Sequence, residues 1–180
     1  MSRHMVFLWS VLGRGWETSF MAEKSVAIAA DHAGFALKTV LRKELGSLGW
    51  RVNDLGTHNT DRADYPDFGY AVADEIAAGR ATFGVLVCGT GIGISIAANR
   101  NPAVRAAVCH DAPAARLSRQ HNDANVLVLG SRIVGEEVAK DCLRVFLDTA
   151  FEGGRHAARV AKLAAADAGA PPVPLRRLQS

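Results

Sequence analysis

Cys88-Gly89-Thr90-Gly91-Ile92-Gly93 is the segment of this chain best equipped for chemistry. A thiol able to exchange a proton stands directly before a turn whose three glycines, Gly89, Gly91 and Gly93, let backbone amides approach a small anion or a developing oxyanion. The spacing is not GxGxxG and the segment follows the third apparent strand, so a nicotinamide dinucleotide is a poor inference. A structural thiol beside a packing turn would also account for these residues. Asp31-His32 offers a proton-transfer pair or a phosphate contact, and equally a loop cap. In His121-Asn122-Asp123 the imidazole can accept and donate a proton near neutral pH, and Asn122 can bind a hydroxyl or oxyanion, although such a triplet also simply turns a chain. Arg155 and Arg159, four residues apart at the start of a helical pattern, project from one face and could fork around phosphate oxygens; a solvated helix shows the same spacing. Arg132 is another candidate contact, and His110-Asp111 reads as a loop cap at least as well as a site. Cys109 and Cys142 lie inside apolar patterns and belong to the core.

The elements that must carry these residues alternate regularly. Short apolar runs at 26–30, 50–55, 83–88, 104–109 and 125–129 read as strands. Helical spacing follows at 35–48, 68–78, 94–99, 112–121, 134–150 and 156–167, with Tyr65-Pro66-Asp67 leading into the second helix. Continuous apolar strands separated by helices predict a three-layer α/β/α, Rossmann-like fold around a five-stranded parallel sheet. Loops leaving the carboxyl ends of such strands line a ligand crevice, which places Asp31-His32 and the Cys88 turn at one edge.

The chain has 180 residues, room for one domain of about 150 rather than two. Its formal charge of +3, with no long basic run, argues against a nucleic-acid surface. Three cysteines without metal-ligand spacing suit a reducing cytoplasm, and no run of about twenty apolar residues is available to span a bilayer. Residues 1–24 read as a disordered leader in which Met21 could be the start, 25–167 as the patterned domain, and the Pro-rich 168–180 as a flexible tail.

Five blocks together resemble the ribose-5-phosphate isomerase B family, which sits with galactose-6-phosphate isomerase subunits among the sugar-phosphate isomerases. They are Ala30-Asp31-His32-Ala33-Gly34-Phe35, Asp64-Tyr65-Pro66-Asp67, the run from Cys88 to Asn99, the run from Arg119 to Asn125, and Glu152-Gly153-Gly154-Arg155-His156. The resemblance implies reversible aldose-ketose isomerisation of D-ribose 5-phosphate and D-ribulose 5-phosphate through an enediolate, without metal or other cofactor. By the same resemblance His121 would assist ring opening with Asp31 nearby, Cys88 would move the proton between C2 and C1, and Thr90 would assist the thiol. Gly89, the following loop and Asn122 would stabilise oxygen charge, and Tyr65 would line the sugar pocket. His32, Arg132, Arg155 and Arg159 would hold phosphate, the last two reaching across a homodimer, possibly within a tetramer. Another aldose phosphate (allose, galactose or a tetrose phosphate), or a noncatalytic sugar-phosphate-binding module, are the competing readings.

Overall fold

The computed structural model describes residues 24–165; the expected leader, apart from Lys24, and the expected tail lie outside the described residues. Five strands, β1 (Ser25–Ala30), β2 (Arg51–Asp54), β3 (Phe83–Cys88), β4 (Ala106–Val108) and β5 (Val126–Gly130), form one sheet in the order β2-β1-β3-β5-β4. Every pairing is parallel. The helices are α1 (Phe35–Ser47), α2 (Tyr65–Ala77), α3 (Ile92–Ala98), α4 (Ala112–Asn122), α5 (Glu136–Asp148) and α6 (Arg155–Ala165). Among the described residues no helix is long and apolar enough to cross a membrane.

The strands are apolar throughout because both their faces are covered. Successive side chains point to opposite sides, so Val26, Ile28, Val85, Val87, Leu127 and Leu129 pack with Leu41 of α1, Ala115 of α4 and Leu143 and Phe146 of α5. Ala27, Ala29, Leu86, Cys88, Val126 and Val128 meet Val72 of α2 and Ile94 of α3 on the other side. The predicted three-layer architecture is therefore present, with α1, α4 and α5 on one face and α2 and α3 on the other.

Differences from the sequence expectation fall at element ends. α2 begins at Tyr65, three residues earlier than the periodicity indicated, because Pro66 occupies its first turn, where the missing N–H removes no helical bond. The fourth strand shrinks to Ala106–Val108 at the sheet edge, where the Asn99 side chain both accepts from the Ala106 N–H (2.8 Å) and donates to its carbonyl (2.9 Å). α5 is shorter than the predicted 134–150, running from Glu136 to Asp148 after an extended Gly135. Asp111 accepts from the Ala114 N–H at 2.7 Å, so His110-Asp111 resolves in favour of a helix cap.

The start of α1 lies against the β3 backbone at Gly34, where an added Cβ would stand 2.5 Å from the Val87 carbonyl oxygen. That carbonyl accepts from the Asp31 N–H and is part of the sheet, so it cannot retreat. Gly34→Val should lower stability by about 1–3 kcal/mol, read as a fall in the urea midpoint with an unchanged slope; an unchanged midpoint would contradict this packing.

Candidate active site

Sheet order reverses at β1, whose sequence neighbours β2 and β3 lie on opposite sides of it. Open α/β sheets leave a crevice at such a point, between the first loops to diverge. Asp31 directly follows β1 here and Cys88 ends β3 beside it. Asp31 is buried, and its carboxylate accepts from the Gly34 N–H at 2.9 Å. Cys88 is only 4% exposed, and its sulfur accepts from the Gly91 N–H at 3.1 Å. Gly91 makes that contact from a left-handed conformation (φ +80°), which a side chain would strain. The thiol is thereby aimed into the turn by the backbone.

The surrounding loops are tied together. The Ser131 N–H donates to the Cys88 carbonyl at 2.9 Å and the Arg132 N–H to the Gly89 carbonyl at 3.0 Å. The Ser131 hydroxyl lies 2.8 Å from the Ala33 carbonyl and 3.2 Å from that of Cys88, linking the loops after β1, β3 and β5. The Arg132 guanidinium lies over Gly89, its central carbon 3.5 Å from the place a Cβ would occupy. Thr90 is exposed, its hydroxyl accepting from the Ile92 N–H at 3.3 Å. Tyr65 presses its ring on Gly93, within 2.6 Å of where a Cβ would sit. His32 places Nδ1 3.2 Å from the Ala63 carbonyl and 3.3 Å from the Ala63 nitrogen, in the loop leading to Tyr65. Asp31, His32, Tyr65, Cys88, Gly89, Thr90, Gly91, Gly93 and Arg132 thus share the carboxyl edge of the sheet.

His121 and Asn122 do not. α4 returns from the end of β4 to the beginning of β5, so its last turn stands at the amino edge, and the strand rise of β5, about 13 Å, lies between the two edges. The Asn122 carbonyl accepts from Arg105, just before β4, at 3.2 Å. The expected proximity of His121 to Asp31 is absent within one chain, for the physical reason that parallel strands require the intervening helix to run backwards.

The amino edge has its own anchor. Arg119 is buried, stacks over Phe83 and Phe146, and donates to the Thr149 and Ala124 carbonyls and to Asp123. Asp123 ends α4 in a left-handed conformation (φ 46°) and also pairs with Arg105 at 2.8 Å. These contacts fix the turn that presents His121 and Asn122. The His121 ring is stacked on that of His156, with centroids 4.3 Å apart and planes within 4°. Glu152 Oε2 stands 4.0 Å from His121 Nε2 and 3.8 Å from His156 Nε2. Arg155 and Arg159 extend from the first turns of α6 alongside, both exposed, with Arg155 Nε donating to His156 Nε2 at 3.3 Å.

Two observations settle the family. Residues 26–163 match the sequence model of the ribose/galactose isomerases. The chain is 47% identical to ribose-5-phosphate isomerase B of Escherichia coli (strain K12) over 142 residues, 79% of this chain and 95% of that enzyme. This chain belongs to the ribose/galactose isomerase family. A second relative in it, D-erythrulose-4-phosphate isomerase of Pectobacterium atrosepticum, is 41% identical over 140 residues, 77% of this chain and 92% of that one. The ribose-5-phosphate isomerase B structure from Clostridium thermocellum superposes with a TM-score of 0.79 at 46% identity, covering 80% of this chain and 97% of that one.

Within this isomerase-family fold, Ser131, Arg119, Glu152 and His156 are residues whose positions the chemistry-led sequence reading did not anticipate. Arg119, Glu152 and His156 lay inside recognised motif blocks, which was the available signal. Ser131 had none, since a serine directly after a strand end resembles any other turn residue. The two remaining cysteines are inert by environment: burial pushes the Cys109 thiol up to about 11 and the Cys142 thiol up to about 12.

His156 is held below the ordinary imidazole value of 6.5, first by burial and then by the neighbouring His121, Arg155 and Arg159, with Glu152 opposing. The unfolded chain therefore takes up this proton first as pH falls, so the contribution to stability is present above the unfolded value and is lost on acidification. Unfolding free energy should fall as the pH drops through and below the ordinary imidazole value of 6.5, and His156→Phe, which keeps a stacking ring without a titrating nitrogen, should flatten part of that slope. An identical slope in the variant would remove His156 from the cause.

Proposed function

We propose that this protein interconverts D-ribose 5-phosphate and D-ribulose 5-phosphate, with residues 25–167 as the catalytic domain and the reducing cytoplasm as its setting. The observation that carries the reading is the buried Cys88 thiol, aimed by the Gly91 N–H at the reversal point of a sheet whose sequence is 47% identical to a ribose-5-phosphate isomerase B.

His121 opens the furanose by moving a proton between the anomeric hydroxyl and the ring oxygen, with Asp31 on the other side of the sugar. In the open chain the C1 carbonyl acidifies the C2 hydrogen. Cys88 as thiolate removes that proton, and the C–H electrons move onto the C1 oxygen to give the enediolate. Transfer of the C2 hydroxyl proton to the C1 oxygen and return of the thiol proton to C1 complete the ketose. Hydrogen merely changes place within one molecule, so the enediolate route requires no nucleotide, redox cofactor or metal. Thr90 supports the thiol, while Gly89, the following loop amides and Asn122 stabilise oxygen charge. Tyr65 and Gly93 shape the sugar pocket, and His32, Arg132, Arg155 and Arg159 take the phosphate.

These residues occupy both edges of the sheet, so one chain holds half of each set, and a homodimer that sets the carboxyl edge of one subunit against the amino edge of its partner completes two sites. Ile92 and Ile96, one turn apart on α3 beside the Cys88 turn, are 58% and 61% exposed, an apolar face suited to such an interface.

Purified protein should isomerise ribose 5-phosphate without added metal. Cys88→Ala and His121→Ala should each lower kcat by at least about 100-fold. Mixed after reversible dissociation, the two inactive variants should recover roughly a quarter of wild-type activity, since half the dimers then carry one intact site of two. No recovery would contradict sharing, and full activity of folded Cys88→Ala would reject the proton-transfer role. The 41% identity to D-erythrulose-4-phosphate isomerase makes a tetrose phosphate the second reading; higher kcat/KM on a four-carbon than on a five-carbon aldose phosphate would establish it.

A further inference from the structure

Among the described residues, one grouping of three side chains from the histidine, cysteine and carboxylate classes could surround an ion: His121, Glu152 and His156, whose ligand atoms all lie within 4.8 Å of one another. Two imidazole nitrogens and one carboxylate oxygen are the donor set of many three-residue zinc sites, with a fourth position left for water or substrate. Tetrahedral Zn2+ at about 2.0–2.1 Å from each donor needs donors about 3.3 Å apart. The present separations of 3.8 Å and 4.0 Å to Glu152 Oε2 are within reach of a small closure. His121 is half-exposed and Glu152 exposed, so both are free to adjust, while His156 is buried and provides the fixed ligand. The parallel rings must splay for their in-plane lone pairs to converge, and the Arg155 donor must leave His156 Nε2.

Other features set how tightly an ion is held. A metal needs imidazoles with a free lone pair, and the His156 ring is flanked by the cations Arg155 and Arg159. The same cations, Arg155 and Arg159, repel a bound ion, as does the amino end of α6. The balance suits an ion that comes and goes, in contrast to a resident structural one.

We propose that His121, Glu152 and His156 form a binding site for a divalent transition metal, Zn2+ or Co2+, and that an ion there shuts off isomerisation by occupying the His121 nitrogen. The binding half of this proposal stands on the cluster alone; the inhibitory half rests on the role given to His121 above. An imidazole lone pair donated to metal is unavailable to the sugar's proton, so the two uses exclude each other.

The test is titration of the full chain with ZnCl2 by calorimetry in phosphate-free buffer, and with CoCl2 by visible absorption. One ion per chain is expected, with cobalt bands of nitrogen and oxygen ligation and no thiolate charge-transfer band. Glu152→Gln and His156→Asn should each weaken binding at least about tenfold, whereas His58→Asn, an exposed histidine elsewhere, should not. Assayed in parallel, Zn2+ should inhibit the wild type, and Glu152→Gln should retain activity at concentrations that silence it. Absent binding, unchanged binding in both ligand variants, or a thiolate band marking a cysteine site would overturn the proposal. Stoichiometric binding lost in the variants without inhibition of an active isomerase would keep the site and refute the role of His121.

Discussion

Five strands running in one direction leave each connecting helix only one way to go, and the placement of every functional residue follows from that. A loop that leaves a strand emerges at the carboxyl edge, and a loop that leaves a helix emerges at the amino edge. Cys88 and Asp31 are strand-end residues and meet at the point where the sheet order reverses. His121 and Asn122 are helix-end residues and are carried to the other side. No side-chain rotation within one subunit can bridge the depth of a buried sheet. The separation of the two groups of residues is therefore a property of topology, and the proposed chemistry calls for a second subunit.

The two edges are held by different physics. At the carboxyl edge the work is done by backbone: Gly91 in a left-handed conformation turns its N–H to the Cys88 sulfur, and Ser131 and Arg132 lace the neighbouring loop to the carbonyls of Cys88 and Gly89. At the amino edge it is done by charge. Arg119 and Asp123 pair within a largely buried setting, Arg105 joins from outside, and the satisfied network holds the short turn between them. Removing one member would leave the others facing a poorly solvated partner, which is why such a polar motif can be structural even where its middle residues carry the proposed chemistry. In the Arg119–Asp123 run the ends are scaffold and His121 and Asn122 are what it presents.

Much of this was legible in the linear chain for identifiable reasons. Fully buried parallel strands must be apolar on both faces, so β1, β3 and β5 stand out as continuous runs, and the helices between them show their spacing clearly. Element ends were less legible: the helical pattern of α2 becomes apolar only after Pro66, and β4 is cut short by a side chain seven residues earlier in the sequence. The membership of the Cys88 turn and of Asp31-His32 in one edge could be read from strand-end position alone. Ser131 was invisible because its importance lies in contacts with Ala33, 98 residues away, and with Cys88.

The sequence by itself determined the parallel α/β architecture, the family and the chemical identity of the residues, because these reside in local periodicity and in motifs read along the chain. Only the tertiary structure decided which of those residues share an edge. It divided Cys88 from His121, stacked His121 on His156 and brought Glu152 to both rings, since proximity between segments depends on strand direction and packing, and neither is encoded in the spacing of any one motif.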